Sequence, residues 1–359
     1  MGLSCQFLNL IVDSRVPGGS PSLHCIDLMR HKLFNTAPAK GNATKNKHAA
    51  AAFKKMEKIL LPSTPCFHMG ASANQRMHCL PAADRRVFCL YQSGHGMLLE
   101  ADTSRLVMMP CLHRPKLEPI SLYIPCAQPD PDDLDGGGGG NQFIMDRIAK
   151  PDESGCHNFE ALVYRNHRSN YLSKSWQHGC LEISSYAVVK GGGQICISVD
   201  GVGTYCLDTA SYEWSEVGKW TLPFQGKVEY VPELRLWFGF SAKDRRFAAA
   251  DLSTMDMDSQ PEPLDSWEEL ETPQGWQQTR DPQLVNLGSG RFCIARFLHA
   301  MAHNGSFGDE SSCQDVTVLT GLEVANANGF DEKVNLGMVK HKSRCHKSSC
   351  GEDTIAAVL

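Results

Sequence analysis

Short apolar runs alternate with polar turns along the whole chain, most legibly from Ile183 to Val217. Ser184 to Val189 predicts a strand, Gly191-Gly192-Gly193 a tight turn, Gln194 to Val199 a second strand and Gly203 to Leu207 a third. A polar turn opened by Asp208 and Thr209 then leads to Trp214, which begins a fourth. Asp and Thr suit that position because their side chains bond the backbone of the turn they open. Successive glycines permit the positive φ that such turns need. Four short strands with no helical stretch between them describe an antiparallel meander, and hence one blade of a propeller.

Weaker copies of the same unit lie on either side. Leu23 to Asp27 leads into Leu33-Phe34, Met97 to Thr103 into Leu106-Val107, and Phe247 to Ser253, after an insertion, into Trp267. The turn residues Asp27, Asp102, Asp208 and Asp251 are separated by 75, 106 and 43 positions. The long gap suggests a missing member, supplied by Phe159 to Tyr164 running on to Trp176. A last copy is expected at Val316 to Val324, followed by Val334 to Val339. Because a repeat cannot bury its own apolar face, neighbours decide the fold. Blades of about 50 residues would use up the chain in six copies. The expectation is therefore an all-β protein, a six-bladed propeller of four-stranded antiparallel sheets.

One domain over residues 1–340 is predicted, with inserted loops at about 36–58 and 125–141 and a flexible tail over 341–359. Leu3 to Val12 reads as a first strand rather than a signal peptide. It has neither a basic leading region nor a small-residue cleavage site, and Asp13 and Arg15 follow at once. Ring closure is expected from Val334 to Val339 joining the N-terminal blade, which would remove a free sheet edge. Ala49 to Lys58 could form a short helix presenting Phe53 and Met56, but a solvated loop is the preferred reading.

The chain has 359 residues, with 35 Lys and Arg against 40 Asp and Glu, a net charge of −5. That balance gives no basic field for nonspecific nucleic-acid binding, so no nucleic-acid partner is expected. Hydrophobic residues make up 42% and charged residues 21%, enough for a real core. No run approaches the roughly 20 apolar residues of a membrane helix, and no membrane partner is expected. Of the fifteen cysteines, Cys25, Cys79, Cys89, Cys196, Cys206 and Cys293 stand singly inside strand-like runs. There a thiol behaves as a small hydrophobe, which points to reduced cysteines in an intracellular protein, cytoplasmic or nuclear.

Candidate chemistry is sparse. Gly136 to Gly140 lacks the Gly-Lys-Ser/Thr of a phosphate loop, and the Asp130 to Asp135 run breaks the ligand series of an EF-hand. His299 and His303 have zincin spacing, but Ala300 stands where the catalytic Glu belongs, and the segment reads as a loop between strands. His341, Cys345, His346 and Cys350 are soft ligands within ten residues; their spacing matches no familiar zinc finger, so a disordered basic tail is preferred. Asp208 and Asp251 read as turn residues rather than catalytic carboxylates, and Trp214 and Trp267 as packing between blades. No cofactor, metal or catalytic residue is assigned.

The double glycine at Gly191-Gly192, the Tyr205-x-x-Asp208 turn and Trp214 six residues beyond that Asp resemble a kelch repeat. Over nearly its full length the chain also resembles an uncharacterised family of cereal-grass proteins, a domain of unknown function with many paralogues. The stretches that carry the likeness include Gly2 to Arg15, Glu182 to Ser198, Gly201 to Tyr205, Val217 to Pro223, Lys227 to Phe240, Ala250 to Met255 and Leu284 to Phe297. The resemblance implies a plant protein with a kelch-like propeller and carries over no catalytic residue. The expected function is a non-catalytic protein-protein interaction module, a monomer that contacts its partner through propeller loops. The alternatives are a propeller enzyme, oxidase or hydrolase, with its site at the central channel, and a degenerate paralogue without activity.

Overall fold

Period-2 alternation is realised directly in the backbone: Leu8, Leu10 and Val12 of the strand Phe7–Asp13 all enter one buried cluster, as do Ile195, Ile197 and Val199 of Gln194–Val199 in another. The structure is a computed structural model. It describes residues 6–16, 19–35, 53, 55–68, 77–82, 86–100, 105–125, 140–149, 159–165, 168–174, 181–301, 313–326, 335–349 and 352–359. The described chain is all-β, about 61% strand with almost no helix, in a propeller-like arrangement. Two compact units divide it: Met1–Gly70 with Val231–Ala249 and Pro263–Leu359, and Ala71–Tyr230 with Ala250–Glu262.

In the first unit one sheet runs in the order Thr354–Val358, Phe7–Asp13, Ser22–Asp27, Phe67–His68. A second has six strands, built on the long ladder of Arg291–Met301, Cys313–Asn326 and Leu336–Ser349. Both faces of Arg291–Met301 are buried: Cys293, Ala295 and Phe297 pack in the cluster of Leu8 and Leu10, while Phe292 and Ile294 pack with Phe238 and Phe247.

The second unit contains two complete four-stranded antiparallel sheets, Met77–Pro81 through Arg105–Met109 and Pro119–Pro125 through Arg168–Lys174. A third meander comprises Leu181–Val189, Gln194–Val199, Gly203–Asp208 and Trp214–Gly218. Its first strand also pairs in parallel with Phe224–Val231, from Ser185↔Gly226 to Ala187↔Val228.

Among the described residues four blades are found, not the six expected. The meander that begins at Leu181 has its edge hydrogen-bonded to the following strand, and strands of up to 14 residues near the C-terminus recruit extra partners, giving a six-stranded sheet. The tail is a second correction. Residues 336–349 form a strand antiparallel to Cys313–Asn326, and Thr354–Val358 pairs with Phe7–Asp13 through Leu10↔Val358 and Asp13↔Thr354. The strand that caps the N-terminal sheet is therefore Thr354–Val358 and not Val334 to Val339. Ile355 and Val358, each 3% exposed, supply the apolar reason.

The segment before Lys58 is only partly solvated where it is described: Lys55, Glu57 and Lys58 are exposed, but Phe53 is buried beside Trp276, Leu298 and Cys345, and Glu57–Lys58 pairs in parallel with Arg344-Cys345. Residues 36–52 and 126–139 of the two expected insertions, and Trp176, lie outside the described residues.

Candidate functional site

The recurring turn aspartates share one local geometry. Asp208 Oδ1 accepts from the backbone of Ala210 at 3.0 Å and Ser211 at 2.8 Å, and from the Ser211 hydroxyl at 3.1 Å. These bonds hold its carboxyl below the usual carboxylate range. Asp27 accepts from Met29 N at 2.8 Å and Asp251 from Ser253 N at 2.8 Å. Asp102 lies outside the described residues. Thr209 Oγ1 donates to the carbonyls of Gly192 and Gly193, which stitches the glycine turn to the next one. Within that turn Gly191 and Gly192 take φ of 62° and 96°, whereas Gly193 is right-handed at −70°, so two of the three glycines need their freedom. Trp214 stands edge-on to Phe159, centroids 5.5 Å apart, and Tyr205 packs on the same cluster. Trp267 packs on Phe247 at 5.7 Å. These residues organise turns and packing and converge on no common site.

A polar rim in the first unit is the best candidate for function. At its centre lies an open depression of about 470 Å³ lined by His346, Lys347, Glu352 and Asp353, where the chain turns from Leu336–Ser349 into Thr354–Val358. Its walls are fixed by backbone bonds: Ser349 N donates to Glu352 Oε2 at 2.7 Å, Ser348 Oγ donates to Glu352 O at 3.0 Å, and His346 Nε2 bonds Asp353 O at 3.2 Å. Lys347 Nζ donates to Phe53 O at 3.3 Å.

Ser348 is the register partner of Asp315, which extends the rim across the sheet. Asp315 bonds His299 Nδ1 at 2.7 Å through one oxygen and Arg15 through the other. The carboxylate thereby orients the imidazole, and the arginine balances its charge. His299 belongs to the strand Arg291–Met301 rather than to a loop, and His303 lies outside the described residues. On the Ser22–Asp27 strand the Ser22 hydroxyl bonds His24 Nε2 at 3.0 Å, and burial holds that imidazole below its ordinary pKa.

Of the soft ligands His341, Cys345, His346 and Cys350, the last lies outside the described residues and the first three are not brought together. Cys345 is fully buried beside Phe53 and Trp276, its neighbour His346 turns the other way toward Asp353, and His341 packs against Phe34 and bonds Glu323. Strand alternation separates Cys345 from His346, since adjacent residues face opposite sides. Among the described residues no three His, Cys, Asp or Glu side chains are grouped to hold a metal.

Two buried ion pairs were not singled out from the sequence. Lys116 pairs with Glu160 with neither side chain exposed, and Arg296 pairs with Glu269 beneath Gln278. The only hint was a Glu inside the strand-like run Phe159 to Tyr164.

Taken together, strand content, Gly and Asp turns and four-stranded sheets define an all-β, propeller-like protein. The chain belongs to the family described as protein of unknown function (DUF1668), which matches residues 5–346. No curated protein matches it. Among solved structures it is similar to hydrazine synthase of Kuenenia stuttgartiensis, at 10% identity and a TM-score of 0.35, over 73% of this chain and 65% of that one. It is also similar to the WD40 domain of SCAP from fission yeast, at 10% identity and a TM-score of 0.33, over 77% and 69%. TolB from Acinetobacter baumannii aligns at 8% identity and a TM-score of 0.37, over 95% and 66%. The chain thus spans just under two thirds of the hydrazine synthase chain.

Proposed function

We propose that this protein is a non-catalytic interaction module whose partner, another protein, docks on the polar rim of the first unit. One observation carries the reading: the depression at His346, Lys347, Glu352 and Asp353 is open, and its polar groups are already tied to backbone atoms. Small-molecule sites enclose most of a ligand in a largely apolar cleft with a few convergent polar groups. An open, polar, pre-formed surface suits the rim of a protein contact instead. The kelch-like pattern at Gly191 to Trp214 supports the same reading, as does the rigidity that the Asp turns give the chain reversals. The protein acts as a monomer inside the cell; the placement of Cys89, Cys196, Cys293 and Cys345 in buried surroundings supports a reducing compartment.

The experiment compares affinity capture by the wild type with capture by a folded Lys347→Ala, Glu352→Gln, Asp353→Asn variant. A defined protein held by the wild type and lost by the variant, and then bound directly in purified form, supports the reading. Turnover that follows the purified protein and disappears on substitution of a single polar residue would overturn it.

A further inference from the structure

Two cysteines of the second unit face each other across neighbouring strands. Cys79 of Met77–Pro81 is the register partner of Cys89 in Arg86–Tyr91. The type of pair follows from the flanking bonds. Ala82 N donates to Arg86 O at 3.2 Å at one end of the ladder, and Tyr91 N donates to His95 O at 2.9 Å on the other side of the second strand. Alternation then assigns hydrogen bonding to 82↔86, 80↔88 and 78↔90, and leaves 79↔89 as a non-hydrogen-bonded pair. In such a pair the Cα atoms stand about 4.5 Å apart with side chains close. That separation falls within the range, about 4.4 to 6.8 Å, that a disulfide spans.

We propose that Cys79 and Cys89 are a thiol–disulfide redox pair, oxidised by a low-molecular-weight disulfide. Access divides the roles. Cys79 is half-buried and reachable, whereas Cys89 is 1% exposed behind it. A hydrogen bond between the two sulfurs, its largest cause, holds the Cys89 thiol below its ordinary pKa. Cys79 loses its proton and attacks one sulfur of the small disulfide; the S–S bond breaks, one thiolate leaves, and a mixed disulfide forms on Cys79. The Cys89 thiolate then attacks Cys79 Sγ and expels the second small thiolate. Two protein thiols are oxidised by two electrons, the small disulfide is reduced to two thiols, and the two protons released end on them.

A second facing pair supplies an internal control. Cys196 and Cys206 are also register partners, and Thr209 N donating to Gly193 O at 3.0 Å makes theirs a non-hydrogen-bonded site too. Both are buried, at 0% and 3% exposure, and their mutual hydrogen bond together with burial pushes the Cys196 thiol well up. Geometry alone would oxidise both pairs; access and thiolate character select the first.

The full chain, in native buffer, is incubated with oxidised glutathione, quenched in acid, alkylated and digested with trypsin without reduction. Cleavage places Cys79 in 77–85 and Cys89 in 87–105, while Cys196 and Cys206 share 191–219. The expected result is a disulfide linking 77–85 to 87–105, with both thiols of 191–219 still alkylated. Cys89→Ser is expected to stop at glutathione on Cys79, and Cys79→Ser to leave Cys89 alkylated. No link in the native protein, oxidation of Cys89 at the wild-type rate in Cys79→Ser, or loss of the 191–219 thiols at the same rate as the first pair would each overturn the proposal.

Discussion

Lys116 and Glu160, 44 positions apart, form an ion pair in which neither side chain reaches solvent. The carboxylate also accepts from His113 N at 2.8 Å and Arg114 N at 3.4 Å, and Lys116 Nζ donates to Arg114 O at 3.2 Å. Glu160 thereby anchors residues 113–116 to the strand Phe159–Arg165 on the face that buries Leu162, Phe88 and Leu90.

Lys116→Met is expected to destabilise the protein by about 3 to 5 kcal/mol, because it leaves a buried carboxylate without its countercharge. Adding Glu160→Leu should recover part of that loss. Urea denaturation of both single variants and the double variant gives the coupling energy; additive losses would show that the two side chains act independently.

Trp214→Ala removes the edge-on contact with Phe159 and opens the packing around Leu207 and Ile195. Since Trp214 is only half-buried, a loss of about 3 kcal/mol is expected, the lower end for a large aromatic. A change below about 1 kcal/mol would place the indole outside the packed core.

Removal of residues 354–359 strips a strand from Phe7–Asp13 and takes Ile355 and Val358 out of the cluster of Leu10 and Val12. Two buried aliphatic side chains correspond to about 3 to 6 kcal/mol. The truncated protein should melt at lower temperature and expose residues 7–13 to rapid amide hydrogen exchange; unchanged protection there would contradict the pairing.

Stability should fall on mild acidification. Burial holds His24, His31 and His341 below their ordinary value of 6.5, so the folded state keeps them neutral while the unfolded chain takes up protons from about that pH downward. The unfolded state then binds more protons, and folding free energy is lost as pH drops below 6.5 toward the folded values. Asp13 works in the opposite sense: burial raises its carboxyl above 3.8 despite Arg280 and Arg15, so its protonation stabilises the folded state in a lower pH window. Melting temperature followed from pH 7.5 to 5 should decline, and the slope should flatten in a His24→Asn, His341→Asn variant.

The meander from Leu181 to Gly218 was legible because alternation, glycine turn and Asp turn agree there, and Gln194–Val199 coincides with its prediction. Of the strand Leu336–Ser349 only the start, within Val334 to Val339, was legible, and the rest was hidden for a physical reason. Lys342, Ser343, Arg344, His346, Lys347 and Ser348 carry no apolar alternation, and it is the ladder to Cys313–Asn326 that makes them extended. The rim was equally hidden, since Arg15 and Asp315 meet across 300 positions and no local pattern joins them. What sequence could supply was the turn chemistry, whose partners lie two or three residues away.

Leu10 is bonded into a sheet with Val358, so the first and last strands among the described residues share a single set of hydrogen bonds. During synthesis the Phe7–Asp13 strand can pair with Ser22–Asp27 early, yet its other edge stays open until Thr354–Val358 has left the ribosome. Until then the chain carries an exposed strand edge that a chaperone, or another nascent copy, can reach.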